Sequence, residues 1–154
     1  DLIDKLLNAS KFNQGFMNTE YLAASLLDMD WHTLSSDAKL KDANEFEENS
    51  LKKYGLIEEI APRYRSTYFA HIFSGGYSSG YYSYVHSAVL DSDGFEAFKE
   101  SGDVFNPDLA SRLRENVYEK GSTEEAMSLY IQFRGRKPII DPLLKVRGLN
   151  GMNE

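Results

Sequence analysis

Apolar positions recur at helical rather than strand spacing along most of the chain. The opening residues, DLIDKLLNASKF, place Leu2, Ile3, Leu6 and Leu7 at such spacing. Asn18 or Thr19 reads as the cap of EYLAASLLDMDWHTL, a helix over residues 19–34. Its Leu22, Leu26 and Met29, with Ala23, Leu27, Trp31 and Leu34, give a broad apolar face. DANEFEENSLKKYG predicts a shorter, exposed helix ending at Gly55, and Pro62 opens PRYRSTYFAHIF, which stops near Gly75 and Gly76. YSSGYYSYVHSAVLDS resumes the helical spacing, with a bend expected at Ser92 or Gly94 before FEAFKES. Asn106 and Pro107 start DLASRLRENVYEKG, which Gly121 closes. Ser122 with Glu125 predicts a capping box for TEEAMSLYIQFRG, and the Pro-punctuated tail KPIIDPLLKVRGLNG reads as a turn or half helix. No sustained period-two alternation marks a strand, and no internal repeat or low-complexity linker interrupts the chain. The expectation is all-α, a single helical domain over residues 1–154.

Composition narrows the function classes. The 154 residues suffice for one buried core. A net charge of −7, from 17 basic and 24 acidic residues, argues against a nucleic-acid surface, which draws on clustered Lys and Arg. No apolar run approaches the roughly 20 residues of a membrane-spanning helix. The absence of cysteine excludes disulfides, thiolate metal sites and cysteine nucleophiles from this stretch of chain. Helical spacing starts at the first residue without an initiator Met, so the expectation is a piece of a longer protein, with any targeting segment outside it.

Candidate chemistry concentrates in HIFSGGYSSGYYSYVH, residues 71–86, where three glycines, four tyrosines and two of the three histidines fall together. A helical zinc site commonly pairs two His one turn apart with a Glu between them, and His32, His71 and His86 have no such spacing. The carboxylate runs Glu45, Glu47, Glu48 and Glu58, Glu59 read as solvated faces. SGGYSSG lacks the Lys and Ser/Thr ending of a phosphate loop, and no strand precedes it. Ser74, Ser78, Ser79 and Ser87 lie near histidines but without the strand a nucleophile elbow needs. Tyr77, Tyr81 and Tyr84 stand at i, i+4 and i+7 and share one helical face, with Tyr82 off it. Spacing alone favours a packed aromatic stripe. A buried phenol must satisfy its hydroxyl, however, and Gly75 and Gly76 permit close backbone approach just before the face. His71 on the other side of that loop completes a set able to offer hydrogen-bond donors to a polarised carbonyl.

YFAHIFSGGYSSGYYSYV closely resembles the substrate-binding loop and following helix of the thimet oligopeptidase family of zinc metallopeptidases, nearest its bacterial peptidyl-dipeptidase branch. KFNQGFMNTEYLAASLLDMDWH and FRGRKPIIDPLLKVRGL resemble the flanking family segments, so the likeness covers the chain in order. The resemblance implies an all-helical cytoplasmic enzyme that cuts short peptides with one zinc ion. The HExxH helix and later Glu that hold the metal would lie upstream, in a zinc-bearing part of the same protein. By motif position His71, Tyr77 and Tyr84 match residues used around the scissile peptide, and Tyr81 matches a channel-lining tyrosine. Gly75, Gly76 and Gly80 match a flexible loop that closes on substrate. Many relatives carry Trp where this chain has His86, a change expected to alter packing rather than chemistry. The alternative is a helical peptide-binding module without catalysis; an upstream HExxH motif would separate the two. The group that captures a substrate's C-terminal carboxylate is not distinguishable among Arg63, Arg65 and the other arginines.

Overall fold

The computed structural model describes residues 1–39 and 42–151, and every regular element among them is helical. Two compact units divide the chain, residues 1–85 and 86–154. The division falls inside a continuous helix, which is why no linker composition marks it in the sequence.

In the first unit, α1 (Leu2–Ala9) is opened by a capping box of Asp1 and Asp4 and buries none of its residues. The helix α2 (Gln14–His32) starts a turn before the expected cap. Asn13 takes the left-handed conformation before it, while Asn18 sits inside the helix, donating to the Gln14 carbonyl at 2.6 Å. Asp42 caps α3 (Ala43–Lys53) by accepting from the Asn44 and Glu45 amides, and Gly55, at φ +73°, follows the helix end.

The expected exposed character of α3 needs correction on one face, where Glu47, Ser50 and Leu51 are buried. Glu47 is buried, accepting the Ser66 amide at 2.6 Å and pairing with Arg65. That contact also overrides the helix expected from Pro62. Arg65 stays extended, only a 3₁₀ turn (Ser66–Tyr68) and the one-turn α4 (Ala70–Phe73) form, and Trp31 Nε1 donates to Ser66 Oγ at 2.8 Å. Two adjoining apolar clusters hold the unit. One gathers Ala24, Phe69, Ile72 and Tyr81, the other Ala23, Leu27 and Leu51, and Trp31 packs against both. Helix α5 (Ser83–Glu100) then begins six residues after Tyr77, later than the spacing predicts, and continues as one helix through Ser92 and Gly94.

In the second unit, Gly94 of α5 faces the Phe133 ring, where an added Cβ would lie 3.5 Å from it. Asn106 caps α6 (Pro107–Leu113), which widens into a π turn (Arg114–Tyr118). Glu125, rather than Ser122, caps α7 (Ala126–Arg134) by accepting the Ser128 amide at 2.7 Å, and α8 (Asp141–Arg147) forms in the tail. Ala97, Tyr130 and Phe133 form the core. Beside it Asp93, fully buried, accepts from Tyr130 at 2.6 Å and Arg136 at 2.7 Å, with Arg134 Nε at 3.3 Å. Burial pushes the Asp93 carboxyl up, but these hydrogen bonds and the two guanidinium charges outweigh it and hold the group below its ordinary 3.8.

A carboxyl depressed by folding stabilises the native state fully above its unfolded value and loses that contribution as pH falls through its folded one. The stability gap between the wild type and Asp93→Asn is therefore expected to be whole above pH 3.8 and to narrow below it. Denaturant melts at about pH 7 and about pH 3 check this; a gap of equal size at both would contradict it.

Candidate active site

The segment between α4 and α5 is built from close backbone contacts. The Tyr77 amide donates to the His71 carbonyl at 3.0 Å, and Ser78 Oγ donates to the Ile72 carbonyl at 2.6 Å. A Cβ at Gly75 would meet the His71 backbone at 2.8 and 2.9 Å, so only glycine fits there, and Gly76 turns at φ +81°. Gly80, the third glycine expected in the loop, has no such constraint; the left-handed residue beside it is Ser79, at φ +55°. What fixes that turn is Asp28 of α2. Its fully buried carboxylate accepts the Ser79 amide at 3.0 Å and the Tyr81 amide at 2.9 Å, and His32 Nδ1 lies 2.8 Å from the same carboxylate. Consuming those two amides outside a helical ladder explains why α5 waits until Ser83.

Tyr77 therefore precedes the helix, and the i, i+4, i+7 face does not exist as drawn from the sequence. The rings nevertheless meet. Tyr77 stacks on Tyr84 at 5.0 Å, Tyr81 stands edge-on to Tyr84 at 5.3 Å, and the His71 ring lies 6.1, 5.8 and 6.5 Å from Tyr77, Tyr81 and Tyr84. Tyr82 is exposed and joins none of these ring contacts. His86 is exposed on α5.

Tyr21 and Tyr64, not singled out in the sequence, complete the cluster. Tyr21 stacks on Tyr81 at 5.3 Å, and Tyr64 lies 5.0 Å from His71. The only signal available for them was aromatic density, because their partners lie distant in the sequence. The hydroxyls are held as donors. Hydrogen bonding to Tyr77, and then burial, pushes the Tyr84 phenol up to about 12. Burial, reinforced by a hydrogen bond with Tyr21, pushes the Tyr81 phenol above its ordinary value. Tyr81 is buried, so a ligand would reach it only past its neighbours, whereas Tyr84 is 37% exposed and His71 and Tyr77 are half-buried. A partly open set of protonated phenols beside an imidazole can donate hydrogen bonds to a carbonyl oxygen that gains charge.

The sequence profile of Peptidase family M3 matches residues 1–149, nearly the whole chain. The chain belongs to this family. An M3 relative named "Dipeptidyl carboxypeptidase", from Escherichia coli (strain K12), is 43% identical over 151 residues, covering 97% of this chain and 22% of the relative. "Oligopeptidase A" of the same organism is 33% identical over 153 residues, covering 98% of this chain and 22% of its own length. "Thimet-like oligopeptidase" of Dictyostelium discoideum is 26% identical over 149 residues, covering 97% of this chain and 22% of that protein. The resemblance seen in the glycine–tyrosine stretch is borne out, with the dipeptidyl carboxypeptidase above the oligopeptidases in identity. The chain spans about a fifth of the length of these relatives.

Family M3 and the resemblance together raise the question of zinc. Among the described residues no three His, Asp or Glu side chains converge in a group that could hold a metal ion. Asp28 and His32, the nearest approach to a ligand pair around the cluster, are committed to each other and to two backbone amides. The described residues therefore do not fit the metal. Among them no helix is long and apolar enough to cross a membrane.

Proposed function

We propose that this chain is the substrate-binding C-terminal portion of a cytoplasmic zinc peptidyl-dipeptidase that hydrolyses short peptides and releases C-terminal dipeptides. Its zinc ligands would belong to an upstream part of the same polypeptide. The observation that carries the reading is the convergence of His71, Tyr77 and Tyr84 in one partly open cluster, in a chain that belongs to family M3. In this reading Tyr84 and Tyr77 donate hydrogen bonds to the scissile carbonyl oxygen as it becomes an oxyanion, and His71 donates alongside them. The buried Tyr81 backs that surface, and the turn through Gly75, Gly76 and Gly80 lies against the bound peptide.

Two measurements test the reading. The chain by itself, dialysed and analysed for metal, is expected to hold no stoichiometric zinc and to hydrolyse no peptide. One tightly held zinc per chain would refute the division of the site between two parts of the protein. The full-length protein is expected to release dipeptides from the free C-terminus of a short peptide, read by mass spectrometry of the products. Products cut at internal positions alone would refute dipeptide release.

A further inference from the structure

The carboxylate that fixes the 79–81 turn has a third donor. His32 stands one helical turn after Asp28 on α2, with Nδ1 2.8 Å from Asp28 Oδ1 and 2.9 Å from the Asp28 carbonyl oxygen. Both neighbours are acceptors, so Nδ1 carries its hydrogen in the neutral and the charged ring alike. The Asp28 side chain has no exposure and that of His32 has 22%, so the imidazole is the member of the pair that meets solvent. Its ring lies tilted against Phe73 at 5.8 Å, and Phe73 stands edge-on to Trp31 at 5.6 Å. The place of His32 is therefore set by packing as well as by Asp28.

The use made of the carboxylate gives that donor its value. Oδ1 takes the Ser79 amide at 3.0 Å together with the imidazole, and Oδ2 takes the Tyr81 amide at 2.9 Å. Two amides two residues apart thus claim different oxygens, and only one setting of the carboxylate plane serves both. The terminal torsion of an aspartate is broad, so a donor fixed on the same helix narrows it. A buried carboxylate also needs its charge met by hydrogen bonds. An error in the setting would travel. Ser79 holds a left-handed backbone at φ +55°, the Tyr84 amide donates to the Tyr81 carbonyl at 3.4 Å, and the Tyr81 ring lies 5.3 Å from that of Tyr84.

We propose that His32 is a positioning residue for Tyr84, its Nδ1–H locking the Asp28 carboxylate in the one setting that serves both the Ser79 and the Tyr81 amide. The proposal rests on the peptidase reading of Tyr84, and in it His32 acts through Asp28 and the turn without touching substrate. The last-turn place of His32 offers a plainer role, capping the end of α2 through the Asp28 carbonyl. The two roles leave different marks: a lost cap loosens the end of α2, whereas a lost lock loosens a turn about fifty residues away in sequence.

The test uses the full-length protein with two readouts, amide hydrogen exchange and steady-state kinetics on one short peptide. His32→Phe keeps a ring against Phe73 but has no donor. It is expected to speed exchange of the Ser79 and Tyr81 amides by about 10–100-fold, the range for losing a hydrogen bond to a charged group. It is also expected to lower kcat by about 10-fold, less than loss of an oxyanion donor itself, with KM within about twofold. His32→Asn, whose side-chain amide reaches the place of Nδ1–H, is expected to restore both readouts. His32→Gln, whose amide reaches the place of Nε2, is expected to restore neither. Unchanged exchange at Ser79 and Tyr81 in His32→Phe overturns the proposal. So does faster exchange confined to residues 29–33, which marks His32 as a helix cap, and so does equal rescue by His32→Asn and His32→Gln. Faster exchange at the turn with kcat unchanged overturns it too, because the lock would then not reach Tyr84. If the wild type cleaves no peptide, the peptidase reading fails by itself. Exchange then still decides for His32: acceleration in His32→Phe with rescue in His32→Asn upholds the lock on the turn, and its absence overturns it.

Discussion

Tyr84→Phe in the full-length protein is expected to lower kcat by about 10²–10³, the usual loss when one donor to an oxyanion is removed. The phenol is a proton donor throughout the neutral range, because the hydrogen bond with Tyr77, followed by burial, lifts its pKa to about 12. In the ground state the carbonyl is weakly polar and the bond contributes little. As the carbon becomes tetrahedral the oxygen takes negative charge and the same bond strengthens, so its loss falls on the chemical step. The ring remains in phenylalanine, and with it the stack on Tyr77 and the edge contacts with Tyr21 and Tyr81. KM is therefore expected to move much less than kcat. Tyr77→Phe removes the hydroxyl that partners Tyr84, and is expected to act in the same direction. Tyr82→Phe serves as the control, since that side chain is exposed and outside the cluster. Steady-state kinetics on one peptide decide the matter: a Tyr84→Phe enzyme within about twofold of wild-type kcat would return the tyrosines to a purely packing role.

Local signals read from the sequence located the helices whose ends are locally determined. Asp42, Asn106 and Gly55 act where their residue types predict. Two of the errors share a physical origin in buried carboxylates that take backbone donors from a distance. Glu47 holds the Ser66 amide and prevents a continuous helix from Pro62, and Asp28 holds the Ser79 and Tyr81 amides and delays α5. Nothing in the spacing of an Asp or Glu within a helix shows that it will be buried, and most are not. The aromatic candidates were legible for a related reason. Tyr77, Tyr81 and Tyr84 lie close enough in sequence that either a helix or a compact turn brings their rings together, so the grouping survived a wrong backbone. Tyr21 and Tyr64 depended on tertiary packing, and only coordinates could add them.

Asp28 makes the strongest claim of this kind, because one side chain sets both the fold of the loop and the place of the phenols. Its replacement by alanine would leave the Ser79 and Tyr81 amides without acceptors, one of them buried and the other half-buried. A buried donor left unpaired costs about 1–3 kcal/mol and a half-buried one less, so Asp28→Ala is expected to lower stability by about 1–4 kcal/mol. Ser79 would also lose the contact that compensates its left-handed backbone. Asp28→Asn keeps one carbonyl oxygen for a single amide but turns a donor towards the other, so it is expected to recover only part of the loss. Denaturant titration of the chain measures the stability of both variants. The consequence for the site is separable from stability. If Asp28 positions Tyr84 through the 79–81 turn, Asp28→Asn assayed in the full-length protein, well below its melting temperature, should lower kcat by more than it raises KM. A folded Asp28→Ala protein within about 0.5 kcal/mol of wild type would show that water replaces the carboxylate without loss, and the anchor would then have no part in holding the tyrosines.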